Sequence, residues 1–209
     1  CDLATQIEKF HLFFDAIGVK KGDKIAICAT NSARWAVTFL AVNTYEAVIV
    51  PLLSEFTPDA VANLTHHSES IILFTDKEMW KRIDSSKVPG LRAVIAVSDF
   101  SILMAEKDVE DAYNSVESVF AAKYPDGLKP ENIHYNTDNW KNLAVINYTS
   151  GTTSAPKGVM LRYESLCASI DFAIRKIPAS FEDNIVSMLP MGHIYGMVFE
   201  FMYPLVSGV

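Results

Sequence analysis

Apolar residues recur along this chain in two rhythms, steps of three and four in some stretches and short unbroken runs in others, and their alternation predicts an α/β fold. Leu3, Ile7, Phe10, Phe14 and Ile17 share one face of a helix that Gly18 ends. A strand at 25–28 follows the turn Lys20-Lys21-Gly22-Asp23, and Asn31 or Ser32 then caps a helix carrying Trp35, Phe39 and Val42. The next strand is 48–50. Thr57 caps another helix, with Pro58 in its first turn, that reaches about His67. Runs at 71–74 and 93–97 read as strands covered on both faces, which favours parallel pairing. Between Ser98 and Trp140 the pattern weakens. Glu106, Asp108, Glu110 and Asp111 crowd one stretch and Pro125, Gly127 and Pro130 break the next, as in an exposed helix plus loop. Order returns with a strand at 143–146, a returning strand at 159–161, a helix from Tyr163 to about Lys176, and a strand at 185–189 ending at Pro190. The expected architecture is a parallel-rich sheet in layers flanked by helices.

Composition narrows this picture. Of 209 residues half are apolar, which excludes a disordered chain and suits one substantial domain or two small ones. Eighteen Lys and Arg against 25 Asp and Glu give a net charge of −7, and no basic run occurs, so nucleic acid is not an expected partner. Cys1, Cys28 and Cys167 are far apart and form no C-x-x-C pair, which points to a reducing compartment, the cytoplasm, rather than to disulfides or zinc. His66 and His67 point about 100° apart on a helix, and His11 and His134 have no evident partners, so no metal site is expected. The apolar stretch from Ile185 to Val209 is interrupted by Pro190, His193, Glu200 and Pro204. It therefore reads as buried core and not as a membrane span. It also stops without a helix stop signal, as in one part of a larger fold.

The stretch with the most chemistry is Tyr148-Thr149-Ser150-Gly151-Thr152-Thr153-Ser154-Ala155-Pro156-Lys157-Gly158-Val159. Small residues after a buried strand let backbone N–H groups approach an anion. Hydroxyls add donors and Lys157 adds a compact positive charge, a set suited to polyphosphate. From Gly151 the spacing is G-x-x-x-x-P-K-G, with Pro156 and Gly158 where a Walker A loop has its second Gly and its Ser or Thr, so a P-loop NTPase is disfavoured.

That stretch resembles the phosphate-binding signature of the acyl-adenylate-forming superfamily, which includes acyl-CoA synthetases, luciferases and peptide-synthetase adenylation domains. Ser154 stands where the signature has Gly. Other segments resemble the same family in order. They are Gly18-Val19-Lys20-Lys21-Gly22-Asp23-Lys24-Ile25-Ala26-Ile27, then Asn31 with Trp35, then Val48-Ile49-Val50-Pro51-Leu52, and finally Met188-Leu189-Pro190-Met191-Gly192-His193-Ile194-Tyr195-Gly196. The last is similar to the form in fatty acyl-CoA synthetases. Tyr45-Glu46-Ala47 replaces the family's Ala-Gly-Ala, so that corner is expected to be built differently.

The resemblance implies that Thr149, Ser150, Gly151, Thr152 and Thr153 hold the β- and γ-phosphates of ATP. Lys157 would offset charge on the departing pyrophosphate, as the catalytic residue of this segment, and His193 would face the acyl and adenylate side. ATP, Mg²⁺ and coenzyme A are the implied cofactors and co-substrates, with a fatty acid as the acid. The resemblance also leaves room for peripheral membrane contact by an intact enzyme. The family's Mg²⁺-holding Glu, its ribose-binding Asp and the Lys of its small C-terminal domain do not appear in 1–209. The chain thus reads as an incomplete N-terminal domain, inactive alone, whose apolar tail would pair with a second copy. The alternatives are a noncatalytic nucleotide- or partner-binding homologue, and an adenylating enzyme of the aryl-acid or peptide-synthetase type.

Overall fold

The computed structural model describes residues 2–149 and 156–209. The chain runs α1 (Asp2–Ala16), β1 (Lys24–Cys28), α2 (Ala33–Thr44), β2 (Val48–Leu52), α3 (Pro58–His67), β3 (Ser70–Thr75), α4 (Lys77–Arg82), β4 (Ala93–Ala96), β5 (Ile102–Ala105), α5 (Lys107–Lys123), β6 (Leu143–Thr149), β7 (Lys157–Arg162) and α6 (Tyr163–Lys176). A last helix is π-helical over Gly196–Met202 and continues as α7 (Tyr203–Ser207). The strands form one seven-stranded sheet in the order β5-β4-β3-β1-β2-β6-β7. Its inner pairs are parallel, and both edge strands, β5 and β7, are antiparallel to their neighbours.

Period-two alternation assigns each inner strand two apolar faces. Ile25, Ile27, Ile49, Ile72, Phe74 and Ile95 pack on one side under α1, α2, α5 and α6. Ala26, Cys28, Val48, Val50, Leu73 and Val94 pack on the other, under α3 and the segment bearing Ile83, Val88 and Leu91. Helix starts follow local chemistry. Ser32 Oγ accepts from the Trp35 N–H at 3.1 Å and Thr57 Oγ1 from the Ala60 N–H at 3.3 Å, each satisfying a donor that the helix cannot. Ser32 is therefore the cap of α2, and Asn31 is turned to another use.

Two features of β2 open a crevice. Val48 N–H donates to Asp23 O on the β1 side, so alternation aims the nitrogen of residue 51 at β6. That residue is Pro51, which has no hydrogen to donate. The β2–β6 register is correspondingly limited to Ile49 opposite Val145. The chain also leaves the end of β2 toward β3 and the end of β6 toward β7, in opposite directions along the sheet. Such a divergence at the carboxyl ends of strands is where open α/β sheets hold ligands.

The corner before β2 keeps the left-handed backbone that glycine would supply, because Glu46 has φ +67°. For a non-glycine residue that conformation costs on the order of 1–3 kcal/mol. The buried Glu46 carboxylate offsets it by pairing with Lys21 and accepting from Asn136 Nδ2 at 3.0 Å.

Three parts of the chain depart from the sequence reading. Residues 185–189 form no strand. They lie along the surface, with Val186 and Met188 exposed, and the Met188 and Leu189 N–H groups are taken by the Glu200 carboxylate instead of by a neighbouring strand. The following apolar residues do form core, but as a helix, with Met197, Val198 and Phe201 buried against α2 and α6. Finally, the region after Ser98 contributes an edge strand, β5, ahead of the exposed helix α5. Among the described residues no helix is long and apolar enough to cross a membrane.

Candidate functional site

β6 carries buried residues as far as Tyr148 and delivers Thr149 exposed at its end. β7 returns antiparallel so that Lys157 stands directly opposite Thr149, and Gly158 opposite Tyr148. A Cβ at Gly158 would lie 2.9 Å from Ile146 Cγ2 and 3.3 Å from the Tyr148 ring, so only glycine lets that ring lie across β7. The Tyr148 hydroxyl meets His67 Nδ1 at 2.6 Å, tying the end of α3 to the root of the loop. Burial pushes the Tyr148 phenol above its ordinary value. Ser150, Gly151, Thr152, Thr153 and Ser154 lie outside the described residues.

The second wall is the segment 188–194. Gly192 passes so close to β2 that a Cβ there would be 2.9 Å from Leu52 O. Asn147 Nδ2 donates to Gly192 O at 2.9 Å from the facing strand β6. Together Leu53, Asn147, Tyr148, Thr149, Gly192, His193 and Ile194 line a cavity of about 130 Å³ between the ends of β2 and β6. Sequence reasoning proposed Thr149 and His193 from motifs 44 positions apart, and the structure places them on one cavity with Lys157 in register beside Thr149.

The donors available here are the Thr149 hydroxyl, the His193 ring and the Lys157 ammonium, all exposed. They suit an anionic or carbonyl oxygen. The volume admits part of a nucleotide or acyl group, not the whole of either. Among the described residues no group of His, Cys, Asp and Glu is arranged to hold a metal. A larger cleft of about 210 Å³ lies between α1 and α5, floored by Phe10, Phe13 and Phe100. Its charges already have partners, Lys9 with Glu117 at 2.7 Å and Asp99 with Lys77 at 2.6 Å, so it offers no unpaired charge among the described residues.

Sequence reasoning missed Asn31, Asn147, Glu200 and His67 as parts of this site. Asn147 sits one position before the signature stretch and was legible by position. The others act through backbone groups or through a residue far away in sequence, and no local pattern announces that.

Comparison with known proteins agrees with the geometry. Residues 2–209 match the family described as AMP-binding enzyme, and the chain belongs to that family. It is 31% identical over 95% of its length to the Arabidopsis thaliana "Long-chain-fatty-acid--[acyl-carrier-protein] ligase AEE15, chloroplastic", of which it covers 29%. It is 30% identical over 88% of its length to "Long chain acyl-CoA synthetase 4" of the same plant, covering 28% of it. The chain thus spans less than a third of these relatives. Among solved structures, the anthranilate CoA ligase AuaEII in complex with anthranoyl-AMP superposes with a TM-score of 0.81 at 15% identity, over 99% of this chain and 38% of that one. ATP-bound MatB from Rhodopseudomonas palustris gives 0.76 at 20%, with the same coverage. The fold is therefore that of the adenylate-forming enzymes.

Proposed function

We propose that this chain supplies the phosphate-facing wall of an ATP-dependent acid–thiol ligase that activates a fatty acid, and that the activity belongs to a longer protein containing residues 1–209. In the first half-reaction the acid's carboxylate attacks the α-phosphate of ATP, giving acyl-adenylate and pyrophosphate. In the second, the thiol of coenzyme A takes the acyl group and AMP leaves. Thr149, Ser150, Gly151, Thr152 and Thr153 hold the β- and γ-phosphates, Lys157 offsets the charge on pyrophosphate, and His193 faces the acyl-adenylate. Such chemistry rests on positioning and charge stabilisation. Mg²⁺ would be held by residues beyond this chain.

The observation that carries the reading is the register of Lys157 opposite Thr149 at the lip of the cavity that His193 also lines. The fatty acid is favoured by the Leu189-to-Gly196 resemblance and by the long-chain names of the relatives. A reducing compartment, the cytoplasm, suits free Cys28 and Cys167. The test is acid-dependent pyrophosphate release by the longer protein across acids of different size. Release with hexadecanoate well above benzoate or amino acids supports the reading, while the 209-residue chain alone binds ATP without turnover. No acid-dependent release from the longer protein overturns it.

A further inference from the structure

Residues 188–193 have no regular structure, yet their backbone polar groups are systematically paired. Met188 N–H and Leu189 N–H both donate to Glu200 Oε2, at 2.8 and 2.9 Å. Asn31 brackets the next turn, donating from Nδ2 to Leu189 O at 2.9 Å and accepting from Met191 N–H at 2.7 Å. His193 N–H donates to Pro190 O and Met197 N–H to His193 O, each at 2.9 Å. Asn147 holds Gly192 O from β6. Side chains from the start of α2, from β6 and from the last helix thus fix one short segment.

Glu200 reaches the segment from a turn that is π-helical, bonded from i to i+5. Gly196 permits the approach, since a Cβ on it would lie 2.5 Å from Pro190 O. The outcome appears at His193, whose Nδ1 accepts the Tyr195 N–H at 3.2 Å. A nitrogen that accepts carries no proton, so the neutral ring holds its proton on Nε2.

We propose that Glu200 and Asn31 are positioning residues that clamp 188–191 and so present His193 to the cavity as an Nε2–H donor for an anionic oxygen of the ligand. The inference rests on the reading of His193 as ligand-facing. One oxygen of Glu200 takes both N–H groups, so a neutral acceptor of the same shape is enough to hold the clamp.

The test is ¹⁵N NMR of the His193 ring together with amide hydrogen exchange in the 209-residue chain. In the unaltered chain the ring shows one tautomer, with the proton on Nε2. Glu200→Ala mixes the tautomers and speeds exchange at Met188 and Leu189 tenfold or more, with little change in the melting temperature. Glu200→Gln, whose carbonyl oxygen can accept both N–H groups, restores both signals. Unchanged signals in Glu200→Ala overturn the proposal, as does a folded Glu200→Gln with the mixed spectrum. Should Glu200→Ala not fold, Asn31→Ala, which frees Leu189 O and Met191 N–H, is read in its place, and unchanged His193 signals in it overturn the proposal. Hexadecanoyl sulfamoyl adenosine, a stable adenylate mimic, then separates the two readings. A shift of the Nε2–H signal supports both, whereas an intact clamp without a shift sinks the ligand-facing role and leaves the clamp standing.

Discussion

Asn147 on β6 donates its side-chain amide to the carbonyl of Gly192 at 2.9 Å, joining the root of the hydroxyl-rich loop to the segment that carries His193. The bond is buried, so losing it leaves a carbonyl without a partner. Asn147→Ala should cost about 1–3 kcal/mol, and Asn147→Asp more, since a carboxylate then faces the carbonyl oxygen. Denaturant midpoints check both. Equal stability of all three forms would show that water replaces the bond freely.

Gly192 and Gly196 on that segment should be far less replaceable than Gly90. Alanine at Gly196 or Gly192 drives a Cβ to 2.5 Å from Pro190 O or 2.9 Å from Leu52 O, and both obstacles are backbone. Gly90 meets nothing within 4 Å. Gly196→Ala and Gly192→Ala should each lose roughly 1–3 kcal/mol by overpacking, and Gly90→Ala should be neutral. Thermal melts of the three variants give the comparison.

Glu46 makes an acid-side prediction. Burial alone would raise its carboxyl pKa, but Lys21, Asn136 and Asn139 outweigh that and hold it below the ordinary glutamate value of 4.5. A depressed folded pKa contributes stability that is present above 4.5 and is lost as pH falls through the folded value. Lys21→Ala should weaken this acid-side loss and lower stability at neutral pH, because a buried carboxylate loses its partner. Glu46→Gly removes the left-handed strain along with the anchor, so its net change should be smaller than that of Lys21→Ala. Denaturation curves from pH 3 to 7 test the ordering.

Much of the sheet was legible because β1 to β4 are covered on both faces, where burial forces unbroken apolar runs, and because Ser32, Thr57 and Pro58 mark helix starts with local chemistry. The same rule misled at 185–189, where an apolar run lies on the surface and looks identical in sequence to a buried strand. The last helix was hidden because Pro190, His193, Glu200 and Pro204 interrupt its apolar stretch, which showed burial without showing a helical period. Glu46 was legible as an exception to glycine, but not its pairing with Asn136, 90 positions away. Thr149, Lys157 and His193 stood out because their chemistry is carried by side chains in recognisable order. Glu200 and Asn31 act on backbone groups, and any sequence offers those everywhere.

Cys28 gives an alkaline-side prediction. Burial, and then the negative charges of Asp76 and Glu55, raise its thiol from 9.0 to about 12. The thiolate is the reactive form, so at pH 8 Cys28 should resist iodoacetamide in the folded chain while exposed Cys167 reacts. A raised folded pKa contributes stability that is complete below 9.0 and lost as pH climbs toward about 12. Cys28→Ala should flatten that part of the stability profile. Peptide mapping of the alkylated sites and melts from pH 8 to 11 provide the readouts.

If the longer protein adenylates an acid as proposed, Lys157→Ala should slow that step by on the order of 10²-fold, the scale for losing one electrostatic contact. Thioester formation from preformed acyl-adenylate should change much less, since pyrophosphate is absent from that step. Equal slowing of both would make Lys157 a structural residue of β7. Single-turnover assays of each half-reaction separate the outcomes.

The surface also predicts how the 209-residue chain behaves alone. Phe172, Ile177, Phe181, Val186, Met188 and Val206 are exposed on α6, the segment after it and α7, and Met160 is exposed on edge strand β7. A soluble monomer seldom leaves so many large apolar groups uncovered. We expect two copies to meet there, giving a concentration-dependent dimer in sedimentation equilibrium. Phe201, by contrast, is buried edge-on against Trp35 and Phe39, so a charge there attacks the core. Val186→Glu and Phe181→Glu should shift the chain to monomer with the melting temperature intact, while Phe201→Glu should unfold it. A monomer at every concentration would refute self-association. Dissociation by Phe201→Glu without unfolding would place the interface on the wrong face of the helix.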